Sequence, residues 1–203
     1  MVVELADFVR DFASGIKAVD EGGPVAIGAR SGKAYQPGMG PFPEAAAVKM
    51  VMNHLAGAKP DVYADKYVEG LDYPGASRAK CDLGLFDDAG LQWAIEVKLL
   101  RMLGDNGKPN DNMISHILSP YQKTRSALTD CTKLASSPIA PRKAVVIYGF
   151  EYDDWPFEPI LSDFVDLASK RVDLGARKIA NYEGLVHPVH QKGAVVAWEI
   201  LSR

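Results

Sequence analysis

The sequence predicts an α/β fold in which helices cover a mixed β-sheet. Three observations lead to this prediction. Segments in which apolar residues recur with helical spacing alternate along the chain with short apolar segments that are typical of strands. Two strand segments, over 79–87 and 91–100, are separated by a short polar turn and predict an antiparallel hairpin. Because helices and strands alternate, both faces of the sheet are expected to be covered.

Length and composition describe one ordinary globular domain over residues 1–203. Of these residues, 47% are hydrophobic and 24% are charged, and the formal net charge is -3. A chain of this length buries roughly 70% of the surface of its unfolded state, so a core forms without disulfides. The composition excludes collagen-like, coiled-coil and disordered classes. No apolar segment reaches the ~18–20 residues that span a bilayer, so no membrane partner is expected.

The first residues and the cysteines indicate a cytoplasmic protein. Acidic side chains occupy the start of the chain, where a secretory signal has basic residues followed by a continuous apolar run. Cys81 and Cys131 have neither a CxxC spacing nor a zinc-binding spacing. A reducing compartment is therefore the simpler expectation, because disulfides are rare there.

The spacing of apolar residues and the positions of glycine and proline predict where each helix and strand lies. Apolar residues between Leu5 and Val19 repeat with helical spacing, and Gly-Gly-Pro at 22–24 ends this first helix. After a Gly- and Pro-rich connection, Pro43 suits the first turn of a second helix that extends to Gly57. The two hairpin strands follow. The remaining predicted elements are a helix over 119–136, a strand over 144–150, a helix over 160–179 and a strand over 194–201.

The turn of the hairpin sets the register of its strands. Asp88-Ala89-Gly90 fits a common three-residue loop, with Gly90 at the position that needs a positive φ. One face then carries almost wholly apolar pairs and is expected to meet the core, whereas the other face carries charges. The expected pairs are Cys81–Val97, Leu83–Ile95, Leu85–Trp93 and Asp87–Leu91 on the core face, and Lys80–Lys98, Asp82–Glu96 and Gly84–Ala94 on the charged face.

The expected Asp82–Glu96 pair needs a partner of opposite charge. Like charges that face each other across two strands destabilise a sheet, and apolar neighbours raise the cost of burying them. A divalent cation would offset this cost, since Mg²⁺ takes one or two carboxylates in its shell. Lys98 lies two residues beyond Glu96 on the same face, within reach of a metal-bound water or a phosphate. The alternative is a solvated charge ladder, but the strand over 93–100 is too apolar for an exposed edge.

The spacing of these charges resembles a known signature. Asp82 is followed after thirteen residues by Glu96-x-Lys98, which resembles the D…(D/E)xK motif of the PD-(D/E)xK nuclease superfamily. The resemblance implies a three-layer α/β/α, restriction-endonuclease-like fold with its core over 43–150 and helical and strand additions at both ends. It implies that Asp82 and Glu96 bind Mg²⁺ or Mn²⁺ and that Lys98 and Glu44 are catalytic too. Glu44, at a helix start, is also favoured by the helix dipole alone.

A local excess of basic residues indicates an anionic substrate. Between positions 97 and 143 the chain has eight Lys or Arg and three Asp, whereas the rest of the chain is acidic. Such an asymmetry predicts a positive surface that contacts a phosphate backbone. The predicted contacts are Lys123 and Arg125 near a helix start, and Arg78 and Lys80 at the start of the first hairpin strand. A solvated basic surface is the alternative for each of them.

These inferences predict a metal-dependent nuclease that hydrolyses phosphodiester bonds in DNA, as the resemblance implies for restriction, repair or defence endonucleases. A two-fold homodimer is compatible with cutting a duplex. One alternative is a catalytically inactive binding module of the same fold, for nucleic acid or protein. Another is an enzyme with the same carboxylates that acts on a small phosphorylated metabolite.

Two histidines form a weaker pattern. His187-Pro188-Val189-His190 could bind a metal in principle. No third ligand lies near them in the sequence, and the proline indicates a turn. The sequence therefore assigns no metal to these histidines.

Overall fold

The computed structural model describes residues 3–29, 31–75, 79–121 and 125–201. These residues form a mixed α/β fold with six helices and seven strands, which confirms the predicted class. None of the described helices is long and apolar enough to cross a membrane. The helices are α1 (Leu5–Glu21), α2 (Glu44–Ala58), α3 (Pro60–Tyr63), α4 (Ser115–Leu118), α5 (Ala127–Ala135) and α6 (Glu158–Ala168). The strands are β1 (Tyr67–Asp72), β2 (Lys80–Asp87), β3 (Gly90–Arg101), β4 (Arg142–Phe150), β5 (Asp173–Leu174), β6 (Lys178–Glu183) and β7 (Lys192–Leu201).

The strands form one open mixed sheet with β3 and β4 near its centre. The order is β1-β2-β3-β4-β7-β5, and β6 also pairs with β7. Strands β3 and β4 are parallel and the other pairs are antiparallel. Along β3, Trp93, Ile95 and Val97 pack in one buried cluster with α1 and α2, whereas Ala94 and Leu100 pack in another with α5 and α6. Both faces of this strand are therefore covered, as predicted.

The middle of the predicted hairpin register is confirmed, and Gly90 has the predicted positive φ, of 116°, but the predicted length of the turn is wrong. Nearer the turn Phe86 pairs with Leu91 and Asp87 pairs with Gly90, so the loop has two residues and Asp87 does not face Leu91. Gln92 is the extra residue that shifts the register. The Asp87 carboxylate accepts hydrogen bonds from the Gln92 side chain at 3.0 Å and from the loop backbone at 2.8 Å, which stabilises the tighter turn. The confirmed pairs are Leu83–Ile95, Gly84–Ala94 and Leu85–Trp93.

The predicted faces are also wrong at the start of β2. Cys81 packs in the cluster of the opposite face, and Lys80 pairs with Asp72 of β1 instead of opposing Lys98. The pairing of β2 with β3 ends at Leu83, while β1, which was not predicted, continues to pair with β2. Because β2 leaves β3 at this point, the two-residue alternation from the hairpin does not extend to its first residues.

Two predicted helices are shorter than expected. The helix predicted over 119–136 begins only after Ser126, whose hydroxyl caps it by accepting the N–H of the third residue beyond at 3.2 Å. Arg125 has a φ of 49°, which a helix does not contain. The helix predicted over 160–179 ends at Ala168, and β5 and β6 follow because they pair with the outer edge of β7. Tertiary pairing thus overrides the local helical spacing.

A close approach of two strands requires glycine in β4. A Cβ atom on Gly149 would lie 1.8 Å from the Leu100 carbonyl oxygen of β3, and that oxygen belongs to strand backbone that cannot move aside. The Gly57 position in α2 offers the opposite case, since a Cβ there meets no atom within 4 Å. The central strand pair therefore tolerates no side chain at Gly149.

We expect Gly149→Ala to lower the free energy of unfolding by about 1–3 kcal/mol or more, because overpacking displaces β3 from β4. The control Gly57→Ala is expected to raise it by up to ~1 kcal/mol, because alanine is the better helix former. Urea unfolding followed by circular dichroism measures both values. An unchanged urea midpoint for Gly149→Ala would contradict the close strand approach.

Candidate active site

The candidate active site lies where β2 leaves β3. Beyond the Leu83–Ile95 pair, two carboxylates replace β2 as hydrogen-bond partners of the β3 backbone. Asp82 accepts the Val97 N–H at 2.8 Å, and Glu44, the first residue of α2, accepts the Leu99 N–H at 2.6 Å. These bonds satisfy donors that would otherwise remain unpaired in the interior. They hold both carboxylates at the edge of one strand.

Lys98 of β3 connects these carboxylates to α5. Its ammonium lies 2.8 Å from Asp130, 3.8 Å from Asp82 and 3.9 Å from Glu44, and its side chain is only 10% exposed. Burial lowers the pKa of Lys98, but the three carboxylates outweigh that effect and raise it above its ordinary value. Lys98 therefore keeps its proton at neutral pH. Its chemistry is that of a fixed positive charge and hydrogen-bond donor, not of a base.

Glu96 is the most deeply buried carboxylate of the site, with a side chain only 2% exposed. One carboxylate oxygen accepts the Tyr73 hydroxyl at 2.6 Å and lies 2.6 Å from the Lys133 ammonium. The pKa of Glu96 is raised to about 8, mainly by burial; the charges of Asp130 and Asp82 also raise it, and together they outweigh the Lys133 charge, which lowers it. A hydrogen bond with Asp82 acts in the same direction. Asp82 therefore lies close enough to Glu96 for its charge to act on it, but the two residues are not paired across β2 and β3.

The structure adds Asp130, Lys133 and Tyr73, which the sequence did not assign to the site. Asp130 is 4% exposed and contacts Lys98 through one oxygen and Lys133 through the other, at 2.9 Å. A signal was present, because Asp130 follows Ala127 by three residues and precedes Leu134 by four, on the apolar face of α5. A charge on that face needs a buried partner. The sequence alone does not say that this partner is Lys98.

The site has an excess of negative charge. Four carboxylates surround two ammonium groups, which leaves a net charge of -2 when all are ionised. Burial is the main cause that raises the pKa of Glu44; the Lys98 charge and the Leu99 N–H lower it, and the charges of Asp82 and Asp130 act with burial. Carboxylate oxygens suit a hard divalent cation, which takes one or two of them and completes its shell with water. The groups are Glu44, Asp82, Glu96 and Asp130 with Lys98 and Lys133.

A basic cavity of about 530 Å³ adjoins the Asp130 carboxylate of α5. Of the four residues predicted to contact nucleic acid, Lys80 and Arg125 line this cavity, whereas Arg78 and Lys123 lie outside the described residues. Lys80 also lines a smaller cavity of about 170 Å³ that contains Glu44 and Asp82. The charged residues that line the larger cavity are Lys80, Arg125, Asp130, Lys133 and Arg171.

No protein-family model, curated protein or solved structure matches this chain. The site combines a fixed ammonium among carboxylates, a buried acid with a raised pKa and a basic cavity beside them, and this combination is typical of functional sites.

The raised pKa of Glu96 predicts an unusual pH dependence of stability. In the presence of a chelator, the folded state retains a proton that the unfolded chain releases between pH 4.5 and about 8. The free energy of unfolding should therefore fall with rising pH in this window, by at most ~1.4 kcal/mol per pH unit from this group. The Glu96→Gln variant lacks the titrating group, so it should become more stable relative to the original protein as the pH rises.

Chemical denaturation at several pH values between 5 and 8 measures this difference. Glu21→Gln removes the same charge from an exposed position at the end of α1 and controls for the change in net charge. A constant stability difference between the Glu96→Gln variant and the original protein across the window would contradict the raised pKa.

Proposed function

We propose that this protein is a metal-dependent nuclease that hydrolyses phosphodiester bonds in DNA. The observation that carries the proposal is the convergence of Glu44, Asp82 and Asp130 on the buried ammonium of Lys98, beside a basic cavity. The helices on both faces of the sheet support the finer proposal of a three-layer α/β/α, restriction-endonuclease-like core. The resemblance of Asp82 and Glu96-x-Lys98 to the PD-(D/E)xK motif agrees with this proposal.

Asp82 and Glu96 are the proposed ligands of Mg²⁺, for which Mn²⁺ can substitute. When bound, the cation polarises a phosphodiester oxygen and lowers the pKa of its water. The chain itself supplies the positive charge of Lys98, which orients a water molecule and stabilises the charge that develops on the phosphate. Glu44 holds Lys98 from the side of α2. Asp130 is a positioning residue, because it holds Lys98 and Lys133 from α5.

The cavity supplies the proposed DNA contacts. Lys80, Arg125, Lys133 and Arg171 line it, and their charges complement a phosphate backbone. Lys133 contacts Glu96 directly, so the same ammonium lies at the boundary between the carboxylates and the basic wall. A phosphate in the cavity would therefore lie close to the acidic groups. This arrangement favours a phosphodiester over an uncharged substrate.

We expect the protein to cleave DNA with Mg²⁺ or Mn²⁺ and to lose all cleavage with a chelator. Replacing Lys98 by glutamine should reduce the rate by at least ~10²-fold, because a fixed donor to the developing charge is lost. The Asp82→Asn variant should lose activity as well. End-labelled single-stranded and duplex DNA, separated on denaturing gels, measures these rates.

Lys49→Gln is the matched control, since Lys49 is an exposed lysine of α2. Circular dichroism checks that each variant is folded. Equal cleavage by the Lys98→Gln variant would refute the assigned chemistry. DNA binding without cleavage under any metal condition would favour the inactive binding module.

We also expect Lys80→Ala and Arg125→Ala to weaken DNA binding across all sequences. Each lost phosphate contact should reduce the slope of log affinity against log salt by about 0.9 for duplex DNA. Fluorescence anisotropy in chelator at several salt concentrations measures both effects, with Lys49→Ala as the control. An unchanged slope for both variants would place the DNA on another surface.

A further inference from the structure

A second cluster of metal-binding side chains lies where three loops meet. Asp105 belongs to the loop after β3, and His187 and His190 belong to the loop between β6 and β7. The connection between α1 and α2 packs on both histidines. A Cβ atom on Gly38 would lie 2.8 Å from the His187 Cβ, and one on Gly40 would lie 2.8 Å from the His190 Cβ. These segments have little regular secondary structure to hold them. Their junction is therefore a place where a bound ion would stabilise the fold.

We propose that Asp105, His187 and His190 bind one Zn²⁺ ion. The Nε2 atoms of His190 and His187 lie 3.4 Å and 3.9 Å from the same Asp105 oxygen. A tetrahedral zinc ion with ligand bonds of ~2.0–2.2 Å separates its ligand atoms by about 3.3–3.6 Å. Among the described residues this is the only group of three His, Cys, Asp or Glu whose ligand atoms all lie within 4.8 Å of one another. Small adjustments would place all three around one ion.

The unsatisfied Nε2 atom of His187 supports a metal ion as its ligand partner. Both imidazole side chains are fully buried, and they stack with centroids 4.5 Å apart. Within the part of the chain that the structure describes, the Nε2 atom of His187 has no hydrogen-bond partner. At 3.9 Å the Asp105 oxygen is too distant for a hydrogen bond. A buried polar atom without a partner is costly, and a metal bond would satisfy it.

Neighbouring groups can determine which ring nitrogen of each histidine carries the proton, and zinc requires Nε2 to be free of it. The Nδ1 atom of His190 lies 2.7 Å from the Tyr152 hydroxyl oxygen, which can accept a hydrogen bond from Nδ1–H and leave the Nε2 lone pair free for the metal. His187 Nδ1 accepts long hydrogen bonds from the Val189 and His190 N–H groups, at 3.2 Å and 3.3 Å. Zinc binding through Nε2 would move the proton to Nδ1 and break both bonds. The metal must offset that cost.

The charges around the cluster favour a cation. Asp105 and Asp20 act on His187 as negative charges, and Arg101 acts as a positive one, so the fixed charges sum to a negative value. Both imidazoles are fully buried, and the neutral imidazole is the form that binds metals. Nitrogen ligands distinguish this cluster from the carboxylate site on β2 and β3, because they prefer zinc to magnesium.

Metal binding to the full chain tests the proposal without any activity assay. After treatment with a chelator, equilibrium dialysis with elemental analysis should find one zinc per chain. Cobalt should give the visible absorption of a tetrahedral site without a thiolate band, since Cys81 and Cys131 are not ligands. Zinc should also raise the melting temperature of the apoprotein.

The variants decide which residues bind. Asp105→Asn, the mildest change, and His190→Gln should each weaken zinc binding at least ~10-fold and reduce the rise in melting temperature. His54→Gln changes an exposed histidine of α2 and should bind zinc as the original protein does. The proposal is overturned if the folded original protein takes up no zinc, or if a folded Asp105→Asn variant binds it with equal affinity. Should His190→Gln not fold, Asp105→Asn alone decides.

Discussion

The edge of β3 beyond Ile95 is the constraint on which the site depends. Strand β2 leaves this edge, and the N–H groups of Val97 and Leu99 then need acceptors in a largely buried environment. Asp82 and Glu44 provide them. Two carboxylates so close together require a positive charge, and Lys98 supplies it from the same strand. The candidate active site is thus a consequence of one interrupted strand pairing.

Each charge in this site creates the need for another. Lys98 is buried, and its contact with Asp130 brings a third carboxylate from α5. Asp130 then shares Lys133 with Glu96, which is more deeply buried still. Burying an ion costs several kcal/mol, and well-packed hydrophobic residues of similar size are often at least as stable. Stability alone therefore does not explain why these charges are buried.

The two clusters differ in the chemistry of their donors. The site around Lys98 offers carboxylate oxygens and faces a basic cavity, which suits a hard cation with open positions for water and phosphate. The cluster of Asp105, His187 and His190 offers two buried nitrogens and one oxygen at the junction of three loops. The first is suited to hydrolysis, and the second to holding segments together. If both proposals hold, one small chain separates its catalytic metal from its structural metal by ligand type.

Local patterns in the chain were sufficient for the α/β class, the hairpin between Leu83 and Trp93, the helix that begins at Glu44 and the presence of buried charges on β3. These features depend on neighbours in sequence, through periodicity and turn residues. Strands β1, β5 and β6, and the contact of Asp130 with Lys98, escaped prediction because they depend on which edges and faces the fold brings together. The same holds for Asp105, which lies 82 residues before His187 in the chain. No spacing rule connects residues so far apart; only the packing of distant loops around the sheet makes them neighbours.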